Sequence, residues 1–144
     1  MQLTKHTDYA LRVLMYVGVI DDRPATISEI GDAYDISKEH LRKVTHKLGQ
    51  LGYVRTQRGR GGGLRLAREP NTISIGQLVR DMDENLAITE CLAKGGIPCR
   101  INDVCGMKCA LRGAIDKFVE TLDNQTLADF LVEKPAIRES LAIT

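Results

Sequence analysis

The sequence predicts a mainly α-helical chain with one small β-hairpin. Apolar residues recur at helical spacing in several separate segments, among them Leu41, Val44, Leu48 and Leu51, and a longer series from Leu111 to Leu122. One stretch, residues 53–66, alternates instead, and it surrounds the glycine-rich run RGRGGG at 58–63. Capping pairs, Thr26 with Glu29 and Ser74 with Gln77, stand just ahead of two of the helical segments. A length of 144 residues, 43% hydrophobic and 27% charged, suits one domain or one domain with an appended element.

Taken in order, Ala10, Val13, Leu14 and Val17 mark an amphipathic helix over residues 8–19, with Thr4 or Thr7 as its cap. The segment DDRP at 21–24 breaks it. TISE at 26–29 is a capping box, and a short helix follows through Ile27, Ile30, Ala33 and Tyr34. After the brief connection DIS at 35–37, the 3, 4, 3 spacing of the next leucines and valine gives a second helix over 37–51. Gly52 stands where a left-handed terminating residue is wanted. Two helices joined by a short turn, the second one basic, form a helix-turn-helix candidate; a plain helical hairpin with a wet face is the alternative. Residues 53–57 and 64–66 then read as strands joined by a glycine-rich tip. Strand, tip and strand directly after such a pair describe a winged helix. The tip is not a nucleotide phosphate loop, because no Lys-Ser/Thr follows the glycines. Residues 74–83 form a further short helix with Ile75, Leu78, Val79 and Met82 inward. The series Leu111, Ala114, Ile115, Phe118, Val119, Leu122 marks a helix of four or five turns, and residues 126–132 a last short one before Pro135. A long apolar-faced helix outside a small reading module suggests dimerisation, with packing on its own domain as the alternative. The expected organisation is a winged helix-turn-helix domain over 1–83, a cysteine-rich loop over 84–106, and a dimerisation helix with its tail over 107–144.

Charge is unevenly spread. The net charge is +1, yet residues 38–68 hold nine Lys/Arg against a single acid, Glu39. Such a patch is the footprint expected for a polyanion partner, with a solvated surface as the alternative. Double-stranded DNA fits it: Ser37, Lys38, His40, Arg42, Lys43 and Lys47 lie along the outer face of the second helix, together with Glu39, Thr45 and His46. Arg58, Arg60 and Gly62 stand at the wing tip. No nucleophile–base constellation is present, and the three histidines read as surface or DNA-facing groups, so no enzyme is expected. The longest apolar run, residues 13–20, is far too short for a membrane span, and no export signal opens the chain. The expectation is a cytoplasmic protein without disulfides.

All four cysteines fall within residues 91–109, with seven, five and three residues between successive members. Structural zinc sites use closer pairs, and here only Cys105 and Cys109 meet that spacing. Iron–sulfur clusters accept wider loops, and Gly95, Gly96 and Pro98 suit a chain that wraps a larger core. Cys105 lies near the start of the long helix, where the dipole favours a thiolate.

The segments LTKHTDYALRVLMYV, ISEIGDAYDISKEHLRKVTHKLGQLGYV, RGRGGGLRLA and ISIGQLVRDMDE, with cysteines 91, 99 and 105, resemble the Rrf-type winged-helix regulators, which include IscR-, NsrR- and RirA-like branches. The resemblance covers residues 1 to about 133. It implies a homodimeric, DNA-binding transcriptional repressor whose iron–sulfur cluster sets DNA affinity, held by Cys91, Cys99 and Cys105. It implies [4Fe–4S] rather than [2Fe–2S], with Asp8 of the partner subunit as the fourth ligand. Asp8 and the segment LDNQTLADFL point to the NsrR-like, nitric-oxide-sensing branch. The seven residues between Cys91 and Cys99 look more like the RirA-like, iron-responsive branch. Cys109 lies outside the family pattern, and reads as a spare ligand or a small core residue. A small iron–sulfur electron carrier is the rival of another class; it would leave the basic 38–68 segment without a use.

Overall fold

Helix α1 (Lys5–Val19) is the centre of the fold, and the computed structural model describes residues 2–144 around it. Of the two caps the sequence allows, Thr4 is used. Its hydroxyl accepts from the Thr7 N–H at 3.2 Å, and the helix starts three residues earlier than its apolar spacing predicts. Thr7 is buried, and its hydroxyl donates to the Asp83 carboxylate at 3.4 Å. Ala10, Val13 and Leu14 are fully buried, as the helical period requires.

Helix α2 (Ile27–Tyr34) opens on the predicted capping box with both arms made. It ends at Asp35 in the left-handed conformation, φ 53°. The turn that follows is tight: a Cβ at Gly31 would lie 2.9 Å from the Ile36 carbonyl oxygen. Helix α3 (Lys38–Gln50) begins at Ser37 and buries Leu41, Val44 and Leu48. Gly52 terminates it with φ 74°, as expected. Strands β1 (Val54–Gln57) and β2 (Gly63–Leu66) pair antiparallel with Val54 opposite Leu66 and Gln57 opposite Gly63. Ala25 exchanges two backbone hydrogen bonds with Leu64, at 2.9 and 2.7 Å, which seats the hairpin on the connection between α1 and α2.

Helix α4 (Ile75–Met82) turns Ile75, Leu78, Val79 and Met82 into the core. Only one arm of its expected box forms. The Ser74 hydroxyl accepts from the Gln77 N–H, but the Gln77 amide donates to Asp81 at 2.7 Å instead of reaching back. The loop 84–105 is irregular apart from two short 3-10 turns, Glu90–Leu92 and Asn102–Val104. Helix α5 (Gly106–Asp123) then runs five turns, and none of its residues is buried within the chain.

The end of α5 is fixed to α4. Arg80 grips the Asp123 carboxylate at 2.7 and 2.9 Å, and a Cβ at Gly76 would collide with Asp123. That bidentate hydrogen bonding holds the Asp123 carboxyl below its usual range. Residues after α5, expected as a tail, fold back onto the winged core. The Ile75 N–H donates to Gln125 and the Leu127 N–H to Ile73, at 3.0 and 2.9 Å. Helix α6 (Leu127–Phe130) places Leu127 and Leu131 against α1 at Gly18, where a Cβ would come within 2.7 Å of a Leu131 methyl. Pro135, expected only to end the preceding helix, sits in the first turn of another, α7 (Lys134–Ser140), where its missing N–H costs nothing. Lys134 pairs with Asp21 at 2.7 Å, and Ile137, Leu141 and Ile143 pack on the core. Among the described residues, no helix is long and apolar enough to cross a membrane.

Leu127 is 1% exposed and closes the returning segment onto the core. Leu127→Ala is expected to lower the stability of unfolding by about 2–5 kcal/mol, read by urea denaturation at fixed protein concentration.

Candidate DNA interface and sensor loop

The outer face of α3 carries most of the predicted reading residues. Ser37 caps the helix, its hydroxyl accepting from the His40 N–H and bonding His40 Nδ1 at 3.0 Å, which orients that imidazole. Lys38, His40, Arg42, Lys43 and His46 are exposed. Lys43 pairs with Glu39 at 3.4 Å in open solvent, a contact weak enough to exchange for a phosphate. Two positions differ from expectation. Thr45 is 7% exposed and donates back to the Arg42 carbonyl, so it belongs to the inner face. Lys47 is half-buried, and its ammonium donates to the Met82 carbonyl at 3.4 Å, tying α3 to the end of α4. The period of a helix places a residue on a face but does not say how wide the neighbouring element makes that face.

At the wing tip Arg58 and Arg60 are exposed. Gly59 and Gly61 adopt φ of 101° and 74°. The Gly62 N–H donates to the Gly59 carbonyl at 3.0 Å, and a Cβ at 62 would strike the Gln57 carbonyl. The glycines therefore shape the tip as well as thinning it. Arg55 faces Arg65 across the ladder. Like charges so placed repel, and Arg65 turns back onto the carbonyls of Asp21 and Asp22 at 3.3 and 3.5 Å. Arg55 remains exposed, an additional cation on the wing. Its place at an outward strand position within the basic run is the signal that would have marked it.

The four thiols are free. Cys105 is the N-cap of α5, and its sulfur accepts from the Lys108 N–H at 3.4 Å. The Lys108 ammonium holds Asn102 at 2.5 Å, fixing the end of the loop to the helix start. Cys91 is half-buried, with the Thr89 hydroxyl 3.4 Å from its sulfur; Cys99 is exposed. Cys109 is exposed as well, so it is not a core residue of this chain. Around them Ile97, Ile101, Val104 and Met107 are each more than half exposed. Asp8 is gripped by Arg12 through both carboxylate oxygens, at 3.2 and 2.9 Å. Next to it on α1, the Tyr9 ring meets His40 of α3 at a tilt, 6.2 Å between ring centroids. Among the described residues no three His, Cys, Asp or Glu side chains converge as they would on a single ion. The donor set is instead soft and clustered along one loop, with one thiol at a helix N-terminus. That chemistry fits an anionic iron–sulfur core, which is larger than an ion and spans wider ligand spacings.

His6, expected at the surface, has its Nε2 buried with no partner. Burial, and then the charge of Lys47, push its pKa below the usual imidazole value, so the neutral ring is favoured.

A basic recognition helix and an arginine-tipped wing on this framework define a winged-helix DNA-binding regulator. The sequence model of the Rrf2 family, described as "Iron-dependent Transcriptional regulator", matches residues 3–133. The chain is 46% identical over 142 residues to the HTH-type transcriptional regulator NsrR of Geobacillus kaustophilus, covering 98% of this chain and 97% of that protein. It is 44% identical over 144 residues to the regulator of the same name from Bacillus subtilis, covering 98% and 97%. Among solved structures, a putative transcriptional regulator from Listeria innocua superposes with TM-score 0.73 at 24% identity, covering 92% of this chain and 88% of that one. T. potens IscR gives 0.72 at 23% identity, covering 91% and 86%. The chain belongs to the Rrf2 family of transcriptional regulators. That membership displaces the electron-carrier reading.

An exposed arginine that neutralises one phosphate per wing adds about 1 to the logarithmic salt slope of DNA binding. Arg58→Ala is expected to make that slope shallower by about 1 per wing without changing thermal stability, as read by fluorescence anisotropy over a salt series.

Proposed function

We propose that the chain is a homodimeric, cytoplasmic repressor that senses nitric oxide through an iron–sulfur cluster, [4Fe–4S] rather than [2Fe–2S]. The observation that carries this is the free-thiol loop capped onto α5 by Cys105. The NsrR name of the relatives supports the nitric-oxide branch. Cys91, Cys99 and Cys105 would hold the cluster, with Asp8 of the partner subunit as fourth ligand. When bound, the cluster supplies iron sites to which a small diatomic coordinates. A carboxylate holds iron less firmly than a thiolate, so the Asp8 position is the natural point of entry or loss.

What the chain's own residues do follows from where they sit. Asp8 lies on the helix that carries Tyr9 against the recognition helix, so a bond from the partner's loop to Asp8 ties one subunit's reading head to the other's sensor loop. Without that bond, loop and reading head are free of each other, which is a two-state element biased by a ligand. In the tied state Lys38, His40, Arg42 and Lys43 of the two subunits would enter successive major grooves, about 34 Å apart. Arg58 and Arg60 would enter the flanking minor grooves. Six to ten phosphate contacts per dimer imply an affinity loss of ~10³-fold or more between 50 and 200 mM salt.

A second reading, an iron-responsive repressor of the same fold, is favoured by the seven residues between Cys91 and Cys99 and by the iron-dependent description of the family. Anaerobic titration of loaded protein with nitric oxide, and separately with an iron chelator, tells the two apart by which one abolishes binding to a duplex selected from random sequence. Equal affinity of loaded and cluster-free protein at fixed salt would overturn both.

Cys99→Ser is expected to give colourless, iron-free protein that still folds, since Cys99 is exposed. Cys109→Ser is expected to keep absorbance, iron and sulfide per chain at the unsubstituted level. Anaerobic absorbance with metal and sulfide analysis reads both.

A further inference from the structure

We infer that Arg80, Gln77, Asp81 and Tyr53 are positioning residues that carry the state of α5 to the base of the recognition helix. This rests on the sensor reading above and adds the route by which it reaches DNA.

The route is a series of hydrogen bonds along the polar side of α4. Arg80 donates to both oxygens of Asp123 at the end of α5, and also to the Gln77 carbonyl oxygen at 3.2 Å. The Gln77 amide donates to one Asp81 oxygen at 2.7 Å. The Tyr53 hydroxyl donates to the other at 2.5 Å. Arg68 lies over the Tyr53 ring, 4.6 Å from its centroid, and donates to the carbonyls of Leu51 and Gly52 at 2.6 and 2.9 Å. Those carbonyls follow directly on the last residue of the recognition helix, where a cation is favoured by the helix dipole. Tyr53 also leads directly into β1, so the series ends at the joint between recognition helix and wing.

Several features make this more than surface decoration. The Tyr53 ring is 1% exposed, so its hydroxyl has a fixed direction. Burial and the Asp81 carboxylate keep that hydroxyl protonated, so it remains a donor across the physiological range. The Gln77 side chain gives an amide N–H to Asp81 and its oxygen to Arg80, an acceptor and a donor on the matching ends, which fixes its orientation. Packing of Leu78, Val79 and Met82 accounts for where α4 sits, but not for a polar face bonded in series from α5 to α3. Helix α5 packs its half-buried apolar side, Ile115, Phe118 and Leu122, toward the core and leaves its other side open. It is about 27 Å long, with Cys105 at one end and Asp123 at the other, and none of its residues is buried. Among the described residues, Arg80–Asp123 is the ion pair that joins it to the winged core. A tilt imposed at the sensor loop is therefore delivered at Asp123.

The test uses full-length, anaerobically purified protein and a duplex selected from random sequence by the loaded unsubstituted chain. Tyr53→Phe keeps the ring beneath Arg68 and removes the hydroxyl. Asp123→Asn keeps the shape of the α5 end and removes its charge. For each, and for the double variant, the readouts are cluster absorbance, thermal midpoint, and DNA affinity in the loaded and cluster-free forms. The expected result is unchanged absorbance and a loaded-to-free affinity ratio reduced about fivefold. The double variant should lose no more than either single one, as links of one series must. If both single variants keep the original ratio, or if their effects simply add, the route is overturned while the sensor reading stands. If the unsubstituted chain itself shows no difference between the two forms, the sensor reading fails and the route goes with it.

Discussion

Burial of α1 is the constraint on which the rest of this structure depends. Ala10, Val13 and Leu14 have no exposed surface, because α1 is covered by α3, α4, β2, α6 and α7 at once. One helix therefore serves as the core of the winged-helix module and as the docking surface for the segment that returns after α5. Gly18 is where this shows most plainly: its missing side chain is the space that Leu131 occupies. Reading head and returning segment share a single interior, and protein interiors do not deform continuously. Movement is left to the parts outside that interior, namely the loop 84–105 and most of α5.

The same division separates the charges. Cations crowd the outer face of α3 and the wing, while the acids of the second half of the chain are spread over α4, the loop after it, α5 and the tail. Several positive groups within the basic segment do not face outward for DNA. Arg65 and Arg68 satisfy backbone carbonyls, and Lys47 binds α3 to α4. A count of basic residues thus overstates the number that can meet phosphates, and the corrected set is Lys38, Arg42, Lys43, Arg55, Arg58 and Arg60.

Local signals in the chain were strong wherever the physics is local. The caps at Thr4, Thr26, Ser37 and Ser74, the left-handed Gly52, and the alternation on either side of the wing tip all depend on neighbours a few residues away, and the structure uses each of them. The signals failed where a distant partner competes. Gln77 had two possible bonds, one to its own helix cap and one to Asp81, and the second wins because Asp81 is already fixed by Tyr53. Thr45 was placed on the outer face by helical period and His6 at the surface by its polarity, yet Thr45 is 7% exposed and the His6 Nε2 is buried. Pro135 was read only as a stop for the preceding helix, which already ends at Phe130, and that reading hid its place in the first turn of α7.

The sequence by itself determined the order and type of the elements through α6, the basic outer face of α3, and the gathering of the thiols in one segment. Those follow from periodicity, capping and residue chemistry, which act over short spans of chain. Only the tertiary structure decided that residues 126–143 return to the first helix, that α5 is held at one end by Arg80, and that a line of polar groups joins this anchor to the foot of α3. These are choices among partners far apart in sequence. They are settled by which surfaces fit together, and no local pattern records that.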